Sequence, residues 1–135
     1  MTPIPERIKR ILEIDPYYHT CARSGSDCKG RITWEHAIIY AGKQVQEKWA
    51  IIPLCEYHHL GKGLDKQINI FIALSRATPE ELKKYPRVDW EQEKKKAIYL
   101  IFKHHEDNTK VFWIDKQRRI SISRSGRSEI ILGEI

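Results

Sequence analysis

Residues 31–62 read Arg-Ile-Thr-Trp-Glu-His-Ala-Ile-Ile-Tyr-Ala-Gly-Lys-Gln-Val-Gln-Glu-Lys-Trp-Ala-Ile-Ile-Pro-Leu-Cys-Glu-Tyr-His-His-Leu-Gly-Lys. Ile32 to His36 and Trp49 to Leu54 are short runs rich in branched and aromatic residues, which fit extended backbone. The polar Gly42-Lys-Gln-Val-Gln-Glu-Lys segment between them suits a hairpin-like connection. Two strands leading into a helix are therefore expected. Glu35 and His36 close the first strand and His58 and His59 follow the second, so folding the hairpin brings together groups that are far apart in the chain.

A second chemistry overlaps the first. Three cysteines are an odd set for disulfides, and Cys21, Cys28 and Cys55 are better explained as thiolate metal ligands in a reducing compartment. Cys21 and Cys28 flank a turn made by Ser24-Gly25-Ser26-Asp27, a knuckle longer than Cys-x-x-Cys, and Cys55 with His58 supplies the other half. Thiolate and imidazole suit Zn²⁺ in closed tetrahedral coordination, which would fasten the N-terminal loop to the start of the following helix. The competing reading makes the cysteines small buried hydrophobes. His19 is an alternative ligand or a partly buried aromatic beside two tyrosines.

Taken together, Glu35-His36, the step to Ala50-Ile-Ile-Pro-Leu-Cys55, and Glu56-Tyr57-His58-His59 resemble the HNH endonuclease family over about thirty residues. Its ββα-metal core carries an acid–histidine pair on the first strand, an Asn before the second, and Cys-x-x-Cys-His at the helix start. His59-Leu60-Gly61-Lys62 repeats the family's His-x-x-Lys. Ala50 stands at the Asn position and His58 where a second Cys is usual. The resemblance implies an α+β fold with a ββα-metal core, structural zinc knuckles at Cys21, Cys28, Cys55 and His58, and DNA phosphodiester hydrolysis. It also implies a catalytic Mg²⁺ or Mn²⁺ held by Glu35 and His59, with Ni²⁺ as a replacement, His36 as general base, and Lys62 at the scissile or a neighbouring phosphate. Asn69, Gln44 and Gln46 are the amides available in place of the family Asn. Compact members of this kind are common in phages. Rival readings are a non-catalytic zinc-stabilised DNA-binding module and a structural adaptor.

Composition agrees with an anionic partner. The chain has 135 residues, 24 Lys and Arg against 18 Asp and Glu, and a net charge of +6, with a sequence pI near 9.3. Nucleic acid, DNA by the resemblance, ranks ahead of an acidic membrane surface as its partner. No apolar run approaches the roughly 20 residues that span a bilayer, and Met1-Thr-Pro-Ile-Pro-Glu-Arg lacks the apolar core of a signal peptide. A cytoplasmic location is expected, the host's if the chain is phage-encoded.

The flanks supply packing. Pro5 can open a helix carrying Ile8, Ile11 and Leu12, which Asp15-Pro16 ends. Leu64 to Arg76 carries a helical stripe of Ile68, Phe71 and Ile72. Thr78-Pro79-Glu80-Glu81 has the form of a capping box, and Asp89-Trp90 opens a helix with a stripe of Trp90, Ala97, Ile98, Ile101 and Phe102. Lys94 to Lys96 form a solvated face or a DNA contact, and His104-His105 a polar helix end or ligands. The tail alternates, predicting two or three antiparallel strands. There Arg118, Arg119, Arg124 and Arg127 can line DNA from one face, with Lys43 in the hairpin connection as a further phosphate contact. The same sheet can instead pair two subunits. This division gives a zinc-stabilised HNH-like core with the N-terminal helix over 1–76 and a basic helical and β-hairpin extension, expected to pack on the core, over 77–135.

Overall fold

The structure is a computed structural model and describes residues 3–23, 27–59, 64–103 and 106–132. Helix α1 (Glu6–Glu13) follows Pro5 and buries Ile8 and Leu12, while Ile11 stays exposed. Proline fixes the backbone for a helix start and its missing N–H is not needed there. At the far end Asp15 accepts a hydrogen bond from the Tyr17 N–H at 3.0 Å and opens a single 3₁₀ turn over Pro16–His19. That turn lies deep in the molecule. Tyr17 and Tyr18 are wholly buried, with the Tyr18 hydroxyl donating to the Ile51 carbonyl at 2.7 Å.

Strands β1 (Ile32–His36) and β4 (Ile51–Cys55) pair antiparallel, with Glu35 opposite Ile52 and His36 opposite Ile51. All five residues of β4 are buried, so it runs through the core and reads as one apolar run without alternation. The connection holds a smaller hairpin of β2 (Ile39–Tyr40) and β3 (Lys43–Gln44), turned at Ala41 and Gly42. Both turn residues have positive φ, 52° and 79°, as a two-residue hairpin turn matched to strand twist requires.

The second strand begins later than the sequence predicts. Trp49 and Ala50 lie in a 3₁₀ turn over Lys48–Ala50. Trp49 is drawn out of the strand by burial against the Tyr85 ring, 6.0 Å between centroids. The Ala50 N–H bonds back to Glu47, and its carbonyl accepts from Ala37 N–H at 2.8 Å, extending the β1–β4 ladder by one bond.

Helix α2 (Glu56–His59) follows β4 directly, and α3 (Leu64–Arg76), α4 (Pro79–Leu82) and α5 (Trp90–Lys103) complete the helical layer. Thr78 and Glu81 form the expected capping box, each side chain bonding the other's backbone N–H. Helix α5 packs on α3, burying Ala97, Ile98, Ile101 and Phe102 of the predicted stripe. Strands β5 (Thr109–Trp113), β6 (Arg118–Ser123) and β7 (Ser128–Leu132) form an antiparallel meander in chain order. The result is a mixed α+β molecule with small antiparallel sheets. One apolar cluster runs through it, from Ile8 and Leu12 through β4 and α3 to Phe112, Ile120 and Ile122.

Candidate functional site

Cys21, Cys28, Cys55 and His58 converge. Their ligand atoms all lie within 4.8 Å of one another, and Cys21, Cys55 and His58 are buried. From His58 Nδ1 the sulfurs of Cys55, Cys21 and Cys28 stand at 3.1, 3.3 and 3.7 Å. Tetrahedral zinc, with Zn–S about 2.3 Å and Zn–N about 2.0 Å, sets such ligands about 3.5 Å apart, so the donor set and its spacing fit that ion. This Cys3His group can hold a metal such as zinc.

Local backbone chemistry builds the cluster. Cys55 ends β4, and three residues later His58 on α2 returns over it. The Ala22 N–H bonds the Pro53 carbonyl at 2.9 Å and holds Cys21 beside β4. The Tyr57 and Glu56 N–H groups bond the Lys29 and Arg31 carbonyls, docking the knuckle on the start of α2. Gly30, at φ +82°, lies between those carbonyls, where an added Cβ would stand 2.7 Å from the Glu56 Cβ. Only glycine fits that approach.

Burial pushes the Cys21 thiol up to about 12. Burial also pushes Cys55 up, but hydrogen bonds from the His58 and Lys29 backbone and from the Cys28 and Cys21 side chains outweigh it, and the net shift is downward. Cys55 is thus closer to the thiolate than Cys21 before a cation arrives. On the far side of the ring, His58 Nε2 lies 3.2 Å from the Asp27 carboxylate, which holds the imidazole with Nδ1 toward the sulfurs. Sequence reasoning gave Asp27 only a turn role. Its position one residue before Cys28 was the available signal.

A second group stands on the other histidine. His59 Nδ1 is in contact with Glu35 Oε2 across the junction of β1 and α2. That oxygen is buried and accepts no directed hydrogen bond among the described residues. Adjacent helical positions point about 100° apart, so His58 and His59 serve different neighbours.

His36, the last residue of β1, lines a cleft of about 380 Å³ together with Glu35. Its Nε2 is 2.7 Å from Gln46 Oε1, and Gln46 Nε2 donates to the Pro3 carbonyl at 3.4 Å. The amide nitrogen is committed to a carbonyl, so the amide oxygen faces the imidazole and accepts its Nε2–H. In the neutral ring Nδ1 then carries the lone pair. Gln46, one of the amides available in the sequence, is the one that reaches His36. Asn69 lines the same cleft, while Gln44 does not.

The remaining predicted residues are spread out. Lys62, like His104 and His105, lies outside the described residues. Lys43 is exposed on β3. Arg118 and Arg119 are neighbours on β6, so strand alternation sends them to opposite faces instead of one DNA-facing row. Arg118 Nε pairs with Asp115 at 2.6 Å, Arg119 lies over the Trp113 ring at 5.1 Å, and Arg124 donates to the Phe102 carbonyl. Lys66, on α3 at the cleft, was missed, since one lysine in a helical pattern reads as an ordinary solvated residue. Among the described residues no helix is long and apolar enough to cross a membrane.

No protein-family model, curated protein or solved structure matches this chain.

Proposed function

We propose that the chain is a metal-dependent endonuclease of HNH type that hydrolyses DNA phosphodiester bonds. The observation that carries this reading is the meeting of Glu35 and His59 where the hairpin joins the helix, with His36 in the adjoining cleft. Glu35 Oε2 and a nitrogen of His59 would hold a divalent ion, which when bound offsets the charge developing on the phosphate and the leaving 3′-oxygen. Imidazole in the donor set suits Mn²⁺ better than Mg²⁺, which favours an all-oxygen shell.

His36 takes a proton from the attacking water at Nδ1, the nitrogen that Gln46 leaves free. The amide absent at Ala50 is supplied by Gln46, earlier in the same connection, while Ala50 closes the hairpin through its backbone carbonyl. Zinc at Cys21, Cys28, Cys55 and His58 would be structural, because four protein ligands close its shell.

Zinc-loaded wild type and His36→Ala are incubated with supercoiled, linear and branched DNA, with Mn²⁺, with Mg²⁺ or with neither. Metal-dependent cleavage, faster with Mn²⁺ and reduced by roughly a hundredfold or more in the variant, is expected. An equally active variant sinks the assignment of the base. Absence of cleavage by folded wild type, with salt-sensitive DNA binding retained, favours the non-catalytic binding module, the reading that Ala50 at the family's Asn position supports.

A further inference from the structure

The cleft beside Glu35 and His36 is larger and more apolar than water attack on a phosphate needs. Its walls come from the residues after β1, from α3 and from the start of α5, with Ile39, Ile70, Val88 and Trp90 giving them their apolar character. The Trp90 indole N–H donates to the Tyr85 carbonyl at 3.0 Å, which holds the ring in place. Lys66, Asn69 and Ile70 fall at helical spacing, so α3 turns one basic, one amide and one aliphatic side chain to the same opening. Asn69 is only 8% exposed, yet its Oδ1 has no hydrogen-bond partner among the described residues. A buried amide oxygen without a partner is uncommon, and this one is open to a donor from a ligand in the cleft.

Taking the endonuclease reading as its basis, we infer that this cleft is a subsite for an unpaired nucleobase beside the phosphate at Glu35 and His36. The preferred DNA would then carry a bulged, extruded or single-stranded nucleotide. Glu35 and Glu93 in the lining oppose a phosphate deep in the cleft, and the remaining walls are largely apolar. A base is flat and apolar on its faces with donors and acceptors on its edge, so it can lie against Trp90 and the isoleucines and pair with the Asn69 amide. Lys66 at the opening is placed to meet a phosphate of the same strand. Within a duplex the bases are stacked away from such a wall, so only a base outside the stack can enter.

The test compares two labelled duplexes, identical except that a single-nucleotide bulge holds either a base or an abasic residue. Both then present the same phosphates. Affinities are measured by fluorescence anisotropy with zinc-loaded protein and neither Mg²⁺ nor Mn²⁺ added. Wild type is expected to bind the base-containing bulge about tenfold more tightly, as stacking on an aromatic wall implies. Asn69→Leu and Ile39→Glu should each bring the ratio close to one. Ile39 is 67% exposed on β2, so its variant should melt at the wild-type temperature and separate a lost subsite from a lost fold. Equal affinities in wild type, or a ratio surviving in both variants, overturn the subsite and leave the endonuclease reading standing. Failure of folded wild type to bind either duplex overturns both.

Discussion

At the scale of single residues, Gln46 matters more than its place in a polar connection suggests. Its amide is held at both ends, by the Pro3 carbonyl and by His36, so it fixes the imidazole tautomer as well as the ring position. Gln46→Leu keeps the bulk and removes the acceptor. Cleavage is expected to fall by roughly tenfold, within the range of a general base's contribution, with DNA affinity unchanged. Nitrogen NMR of His36 should show one tautomer in wild type and a mixture in the variant, and a single unchanged tautomer would remove Gln46 from the mechanism. The histidines, the cysteines and Glu35 were legible because each residue type carries its chemistry in its name and the spacing tied them together. Gln46 and Asp27 were harder to recognise, since an amide or carboxylate in a turn does the same local work whether or not a histidine lies across from it.

Among the elements, α2 is the decisive one, although it has only four residues. It gives His58 to the cysteines and His59 to Glu35, and the register of β1 against β4 sets both meetings. The hairpin was readable from β-branched runs, and α4 from its capping box. The start of β4 was not, because Trp49 fits a strand by propensity but packs elsewhere by size. Zinc at the Cys3His cluster must displace thiol protons, most of all from Cys21, whose pKa burial pushes up. Zinc affinity should therefore fall as pH is lowered from about 8 to 6, where protons compete better for the sulfurs. Asp27→Ala should weaken it by a further 10–100-fold or so, as loss of an outer-shell carboxylate does. Competition with a chromophoric chelator across that range measures both, and pH-independent affinity would argue against thiolate ligation.

For the whole molecule, the notable fact is how firmly the two ends of the chain hold each other. The Tyr17 hydroxyl donates to the Trp113 carbonyl at 2.7 Å, and the Trp113 N–H donates to the Ala22 carbonyl at 2.9 Å. The Arg76 guanidinium lies over both Tyr17 and Tyr18, at 4.6 and 5.0 Å from their ring centres, and donates to the Ile51 carbonyl. The sequence division at residue 76 set a zinc-stabilised core apart from a basic extension expected to pack on it, and which residues make the contacts between distant segments leaves no mark on local pattern. A chain ending at Arg76 would uncover Phe71 and Ile72, which α5 and the C-terminal sheet otherwise help to enclose. That fragment, loaded with zinc, is expected to lack a cooperative thermal transition by circular dichroism. A sharp transition would mean that residues 1–76 fold by themselves.

The short helix between the two candidate ion sites has a thermodynamic consequence. Four residues cannot twist to improve one coordination sphere without disturbing the other, so filling the cysteine cluster sets the position from which His59 meets Glu35. With a second ion held by Glu35 and His59 as proposed, the two occupancies would be linked, and linkage is reciprocal: whatever factor zinc contributes to the affinity for the second ion, the second ion would return to zinc. Calorimetric titration of one ion at fixed levels of the other reads that factor directly.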